Sequence, residues 1–346
     1  MEFLKRKSLW IGVALLVVLS SLTLYTIIKE LNGQDIEGAI RNSDPFWIVM
    51  AILSMLTYFF LDGLNIRRGL RLTGYKVNYV QMMKYSFAGF FFSSLTPSST
   101  GGQPGQLYFM SQDKIRLSHG TFSLLCVLLC FQIGAVIWGI IGVILSPVGL
   151  FGLEGRFAYV FPIGFILNLL IILFLIFLIF TPKLSQMIAC VLLKLNSLRH
   201  SKPGSNFKVL RTFAGYRHAA VLMKTNKFIF FEMLINSLFQ IAFMHLVTFC
   251  SAKALGCHDM DWFSTICTQG ALFLSVSSLP LPGSAGITEY GYALFYADVI
   301  PKELLGSVML LARFVNFVLP LIYTGLALMT IHLIQRRRQK HSKLRL

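Results

Sequence analysis

The chain of 346 residues is 55% hydrophobic and only 13% charged, with a mean hydropathy of +0.70. This composition excludes an ordinary soluble domain and predicts a polytopic membrane protein. The formal net charge of +17 would indicate nucleic-acid binding in a soluble protein. Here the basic residues lie between apolar segments, where membrane orientation and anionic headgroups explain them, so we expect no nucleic-acid partner.

Six uninterrupted apolar segments are long enough to cross a bilayer as helices. The first follows Lys5, Arg6 and Lys7 and has too long an apolar core for a cleaved signal peptide, so we interpret it as a retained span. In chain order the six segments are residues 8–28, 46–66, 121–145, 158–180, 228–251 and 304–334.

Two further apolar segments, residues 80–110 and 262–296, are each interrupted by a turn rich in Pro, Gly, Ser and Thr. A break in a membrane helix frees backbone groups that lipid cannot satisfy, so it must be buried in protein or line a cavity. We expect the glycines to allow close backbone approach and the prolines to fix the breaks. These residues are Gly101, Gly102, Gly283 and Gly286, and Pro97, Pro104, Pro280 and Pro282.

The distribution of Lys and Arg orients the segments, because short cytoplasmic loops carry an excess of both. Residues 182–227 contain nine Lys and Arg and no Asp or Glu. We therefore expect this basic loop and both termini to be cytoplasmic, with the loop on an anionic lipid surface. If both interrupted segments crossed the membrane, the basic loop would lie outside. The pattern thus predicts two re-entrant hairpins that enter from opposite faces.

The surroundings of the two hairpins match each other. Gly74 precedes Pro97 by 23 positions and Gly256 precedes Pro280 by 24, each pair lying between two spans. The spans before the hairpins run in opposite directions, which predicts inverted repeats of the kind found in many secondary transporters. The predicted fold is a single all-α membrane domain over 1–346, with about six full spans and two re-entrant helical hairpins. Its first repeat covers 46–146 and its second covers 228–334.

Ionisable residues within the apolar segments are candidates for function, since a charge near the bilayer centre costs about 2.5–3.5 kcal/mol on insertion scales. Glu289 follows the second turn, and Arg313 on the next span is placed to reach it. The pair either binds a headgroup or a proton, or it is a structural ion pair between the hairpin and the span. Lys84 either snorkels to the interface or contacts a phosphate at the first hairpin's mouth. For Asp62, a salt bridge with nearby arginines at the cytoplasmic edge is favoured over a transport role.

The two turns resemble the paired signatures of the lysylphosphatidylglycerol synthase transmembrane region, the flippase-like domain family. The motifs are Thr96-Pro-Ser-Ser-Thr-Gly-Gly-Gln-Pro104 and Pro280-Leu-Pro-Gly-Ser-Ala-Gly-Ile-Thr-Glu289. The resemblance covers nearly the whole chain and implies a bacterial or archaeal cytoplasmic membrane protein that moves a polar lipid between leaflets. About a dozen residues follow the last span, so the soluble aminoacyl-transferase domain of the full synthases is not expected. At Gly105 and Gln106 the chain differs from many relatives, which carry Gly-Glu followed by Arg.

The expected function is translocation of a polar, anionic phospholipid or glycolipid whose headgroup binds between the hairpin tips. Alternatives are a transporter of a small water-soluble ion or metabolite, and a scaffold for a separate lipid-modifying enzyme; a homo-oligomer also stays open. The chain has no Walker A, Gly-x-Ser-x-Gly or His-Glu-x-x-His motif, so we expect neither enzymatic activity nor a cofactor or metal. The expected headgroup contacts are Glu289, Arg313, Gly101, Gly102, Gln103, Gly283, Gly286, Thr288 and Lys84.

Overall fold

The computed structural model describes residues 43–96, 99–145, 157–181, 187, 205–277, 287–297 and 299–343, which form helices and no strand. A short π-helix, Phe314–Val318, joins the last two α-helices. The α-helices are α1 (Pro45–Leu72), α2 (Tyr79–Ser94), α3 (Gly102–Gln112), α4 (Leu117–Leu145), α5 (Phe157–Phe180), α6 (Ser205–Thr225), α7 (Lys227–Ala254), α8 (Trp262–Val276), α9 (Ile287–Tyr296), α10 (Lys302–Arg313) and α11 (Leu319–Lys343).

Within the described part of the chain, five helical stretches are long and apolar enough to span a membrane. They correspond to five of the six segments predicted from sequence, and the sixth, residues 8–28, lies outside the described residues. The all-α polytopic membrane fold is thereby confirmed. The five stretches are Pro45–Leu72, Leu117–Leu145, Phe161–Phe180, Lys227–Ala254 and Lys302–Ile331.

The two halves of the chain repeat with an offset of 182 residues. Helix α7 begins and ends 182 residues after α1, and each has 28 residues. Both helices run into a glycine with φ +89°, Gly74 and Gly256, in the left-handed conformation that commonly ends a helix. The next helices, α2 and α8, both begin at a side-chain cap, Asn78 and Asp261 respectively. The sequence repeat is therefore also a repeat of local structure.

Helices α1 and α7 pack antiparallel over their whole length. At one end the Asp44 N–H donates to the Ala254 carbonyl (2.8 Å), and towards the other the Asn65 side chain donates to the Met233 carbonyl (3.1 Å). This register brings Tyr58 level with Gln240, which is its own equivalent in the second repeat. A local two-fold axis thus passes at this level, and the two repeats are inverted relative to each other.

The first hairpin consists of α2 and α3, which pack closely in antiparallel directions. A Cβ at Gly102 would collide with the Ser93 side chain, and one at Gly89 would collide with Gln106. These glycines therefore serve contact between the two helices. In the break, the Thr96 hydroxyl accepts from the Gly101 N–H (2.7 Å) and donates to the Phe92 carbonyl (2.8 Å). The hydroxyl thus satisfies backbone groups that the break leaves open.

Of the two prolines in the first turn, the structure describes Pro104 and not Pro97. Pro104 lies in the first turn of α3, where a missing N–H costs no intrahelical hydrogen bond. It therefore belongs to the start of the second helix, after the break. Pro97 lies outside the described residues.

The second hairpin consists of α8 and α9. The Tyr296 hydroxyl, at the end of α9, lies 3.3 Å from the Thr265 carbonyl near the start of α8 and 3.1 Å from Gln269 Oε1. The hairpin thus returns to the end of the bundle from which it starts. Because α7 is antiparallel to α1, this end is opposite to that of the first hairpin. The turn, including Pro280, Pro282, Gly283 and Gly286, lies outside the described residues.

The second half of the basic loop is helical. Residues 205–225 form helix α6, with a buried face of Tyr216, Ala219 and Met223. The Tyr216 hydroxyl donates to the Leu178 carbonyl of α5 (3.1 Å), which fixes α6 against the bundle. Small and apolar residues at helical spacing carry this packing, although Lys and Arg occur along the helix and Asp and Glu do not.

Candidate functional site

Two cavities adjoin at the centre of the bundle. The first-hairpin cavity, of about 660 Å³, is lined by α1 to α4 and by Gln240 of α7. The second-hairpin cavity, of about 290 Å³, is lined by α1, α2, α7 to α10 and the π-helix. Tyr58 and Phe90 line both cavities, so these two side chains lie at the boundary between them. The cavities therefore lie beside described helices of the two interrupted segments.

The first-hairpin cavity has a polar wall and one carboxylate, Asp62. Gln240 donates through Nε2 to Asp62 Oδ1 at 3.4 Å, a long hydrogen bond between α7 and α1. Two predicted site residues, Gly102 and Gln103, lie on the wall, whereas Gly101 packs against Thr96 beside it. The polar residues that line this cavity are Tyr58, Asp62, Ser86, Ser93, Ser99, Thr100, Gln103, Gln106 and Gln240.

The salt bridge predicted for Asp62 is wrong. Arg67 donates through Nε to the Val77 carbonyl (2.9 Å), and Arg68 Nε lies 3.7 Å from Glu232 Oε2. On a helix, side chains five and six residues after Asp62 point about 140° and 120° away from it. The arginines therefore lie on other faces of α1, while Asp62 faces the cavity.

Lys84 does not snorkel to the interface. Its ammonium forms an ion pair with Asp113 Oδ2 at 2.5 Å, and its side chain is only 4% exposed. The Tyr85 hydroxyl donates to the same carboxylate oxygen. Because Asp113 follows the end of α3, this cluster ties the base of the first hairpin together, about three turns from the cavity wall at Gln103.

Arg313 lines the second-hairpin cavity from the end of α10. The π-helix that follows it, Phe314–Val318, interrupts the regular helix, and such insertions are frequent at functional sites. Asn316 within the π-helix lines the same cavity, as do His245 of α7 and Tyr292 of α9. The cavity thus combines a guanidinium with polar groups from three further segments.

Four polar atoms of this cavity are buried without a hydrogen-bond partner among the described residues. They are the hydroxyl of Tyr292, Oδ1 of Asn316 and both ring nitrogens of His245. Buried polar groups in native proteins are nearly always paired with protein or with ordered water. Water or a polar ligand is therefore expected in this cavity.

The predicted partner of Arg313 lies on α9, but its side chain lies outside the described part of the structure. The backbone of Glu289 is three residues before Tyr292, one turn away on the same helix. The structure does not describe the side chains of residues 287–290, and Thr288 is one of them. The contact between Glu289 and Arg313 thus stays a prediction.

The repeat relates the two cavities and shows where they differ. Val127 and Phe131 of α4 line the first cavity, and the residues 182 positions later, Met309 and Arg313, line the second. The guanidinium of Arg313 therefore stands where the first cavity has a phenyl ring. The first cavity thus carries a carboxylate and the second a guanidinium.

The sequence prediction missed several polar wall residues. Tyr58, Gln240 and Asn316 lie within long apolar segments and belong to no turn motif. An uncharged polar residue in a membrane span was the available signal, because such groups usually face a helix neighbour or a cavity.

Comparison with known proteins places the chain among membrane domains. A sequence profile of the family described as lysylphosphatidylglycerol synthase TM region matches residues 9–323. A UPF0104 membrane protein of the archaeon Archaeoglobus fulgidus is 24% identical over 322 residues, which cover 87% of this chain and 91% of that protein.

Proposed function

The chain belongs to the lysylphosphatidylglycerol synthase TM region family, and from this membership and the two cavities we propose that it moves an anionic lipid between the leaflets of the cytoplasmic membrane. The headgroup binds in the second-hairpin cavity while the acyl chains remain in the bilayer. The two hairpins are re-entrant in this proposal and enter from opposite faces. Both termini are then cytoplasmic, as the positive-inside rule requires.

The observation that carries the proposal is the position of Arg313 in a cavity with unpartnered polar atoms. A guanidinium binds phosphate oxygens through two parallel hydrogen bonds, which neutral side chains cannot match. The Tyr292 hydroxyl is a further donor for the same anion. The cavity volume, about 290 Å³, equals that of roughly ten water molecules, which suits a phosphodiester headgroup without its acyl chains.

A translocation path follows from the adjoining cavities. They meet at Tyr58 and Phe90, and the local two-fold axis passes at the level of Tyr58. In inverted-repeat transporters, access alternates when one repeat rocks against the other around a central site. The headgroup would pass between the cavities at this point as the repeats exchange conformations.

The proposed headgroup residues follow from the described geometry. Arg313 and Tyr292 bind the phosphate, and Gln103 with Gly102 lines the cavity on the opposite side of the junction. Glu289, Thr288, Gly283 and Gly286 remain proposed contacts of the second hairpin. Lys84 is left out, because its ammonium is already paired with Asp113.

Vesicles containing the purified protein and a phosphatidylglycerol with a fluorescent acyl chain test the proposal. Dithionite bleaches dye in the outer leaflet, so translocation appears as bleaching beyond the outer-leaflet fraction. The parent should bleach nearly all dye, and Arg313→Gln should slow this roughly tenfold to a hundredfold, since a hydrogen bond to a charged group contributes about 1.5–3 kcal/mol. Arg71→Gln, which removes an exposed cation at the end of α1, is the matched control and should leave the rate unchanged.

Two outcomes would contradict parts of this proposal. A parent protein that bleaches no more dye than protein-free vesicles refutes lipid translocation, and uptake of a soluble anion by the same vesicles would then favour the small-solute alternative. A folded Glu289→Gln variant with the parent's rate would remove Glu289 from the mechanism.

A further inference from the structure

The carboxylate of Asp62 has no cationic partner among the described residues. Three cations of α1 and α2 are bound elsewhere: Arg67 donates to the Val77 carbonyl, Arg68 lies 3.7 Å from Glu232, and Lys84 is paired with Asp113. Gln240 donates to the Asp62 carboxylate in a long hydrogen bond (3.4 Å). A lone carboxylate inside a membrane bundle is costly, so it requires a neutralising partner.

Two further oxygen atoms beside Asp62 are buried and lack hydrogen-bond partners among the described residues. They are Oγ of Ser86 on α2 and Oε1 of Gln240 on α7. Both residues are 1% exposed and line the same cavity as Asp62. Three helices thus bring oxygen atoms with free acceptor capacity to one point.

The chemistry of these atoms selects the class of ligand. Carboxylate, amide and hydroxyl oxygens suit hard cations. The described residues contain no group of three or more His, Cys, Asp or Glu of the kind that holds a transition metal. Among the described residues, the other titratable group that lines this cavity is Tyr58. One negative charge is neutralised by a monovalent cation, whereas a divalent cation would leave a net charge buried among apolar helices.

We propose that Asp62, Ser86 and Gln240 bind a sodium ion, with water from the first-hairpin cavity completing its shell. The site lies at the contact of the two repeats, because Tyr58 and Gln240 are equivalent positions on either side of the local two-fold axis. Asp62 lies about 15 Å along α1 from the helix end at Leu72, well inside the hydrocarbon depth. Coupling ions of inverted-repeat transporters bind at such positions.

Binding of radioactive sodium to the purified protein in detergent tests the site without lipid. The parent should bind one saturable ion per chain, and sodium should raise its unfolding temperature relative to N-methylglucamine at equal ionic strength. Asp62→Asn should abolish saturable binding, and Ser86→Ala should weaken it roughly tenfold. Glu232→Gln, which removes a partly exposed carboxylate near the end of the same bundle, should bind like the parent.

Three results would overturn the site. The first is a parent that binds no sodium, and the second is an unfolding temperature that responds to pH but not to sodium, which would assign the carboxylate to a proton. The third is parent-like affinity in Ser86→Ala, which decides the matter if Asp62→Asn fails to fold. Coupling to transport rests on the proposed function, but the binding measurement does not. A protein that binds sodium and moves no lipid refutes translocation alone.

Discussion

The ion pair between Lys84 and Asp113 allows the effect of variants in the first hairpin on the free energy of unfolding to be predicted. Replacing Lys84 by Met leaves the Asp113 carboxylate with the Tyr85 hydroxyl and some solvent, since its side chain is 15% exposed. Replacing Asp113 by Asn leaves the ammonium of Lys84, 4% exposed, without a counter-charge. We expect Asp113→Asn to be the more damaging change, because the charge that it strands is the more deeply buried.

The magnitude follows from the cost of leaving one partner of a buried ion pair, about 3–5 kcal/mol. Lys84→Met should lie at the lower end of this range and Asp113→Asn at the upper end. The double variant Lys84→Met/Asp113→Asn buries no charge at this point. It should therefore be more stable than Asp113→Asn alone, by roughly 2 kcal/mol or more.

Equilibrium unfolding in mixed detergent micelles measures these four proteins as a double-mutant cycle. A stabilising pair would be refuted if the single variants had the parent's free energy of unfolding. It would also be refuted if the loss in the double variant equalled the sum of the two single losses. The vesicle assay adds an independent check, because Lys84 is absent from the proposed headgroup site. If the double variant folds but moves no lipid, and Arg71→Gln moves lipid like the parent, Lys84 belongs to the headgroup site after all.

Packing and backbone conformation give two further predictions, both read from unfolding in the same micelles. Gly142→Ala places a Cβ against the Cys267 carbonyl of α8, so it should lower the free energy of unfolding by about 1–3 kcal/mol. The control Gly120→Ala lies on the same helix, and its Cβ meets only the flexible ends of side chains. It should lower the free energy of unfolding by less than about 1 kcal/mol. Gly74→Ala and Gly256→Ala, both at φ +89°, should each cost roughly 1–2 kcal/mol, and clearly unequal losses would contradict equivalent positions in the repeats.

Much of the architecture was predictable because its signals are local. Apolar segments of spanning length identified five described membrane helices. Gly74 and Gly256, which the repeat spacing singled out, follow the ends of α1 and α7. The predicted repeat spacing agrees with the offset of 182 residues between these helices. Helix α6 was missed, because a basic composition concealed a buried face whose partner, α5, lies earlier in the chain.

The site was less predictable, since its chemistry depends on partners that are distant in sequence. Asp62 was assigned to arginines close to it along the chain, whereas its hydrogen-bond partner, Gln240, is 178 positions away. Proximity in sequence is a poor guide on a helix, because residues five or six apart face different directions. Lys84 likewise found Asp113 only because α3 folds back along α2.

The sequence by itself determined that this chain is a helical membrane protein with two interrupted segments and an internal repeat. Hydropathy and turn chemistry act over a few residues, and they decide membrane insertion and helix ends before any tertiary contact forms. Only the tertiary structure decided that Asp62 and Arg313 line adjoining cavities of opposite charge. That outcome depends on the antiparallel packing of the two repeats, which brings groups from distant helices together at the one place where their polar atoms are shielded from lipid.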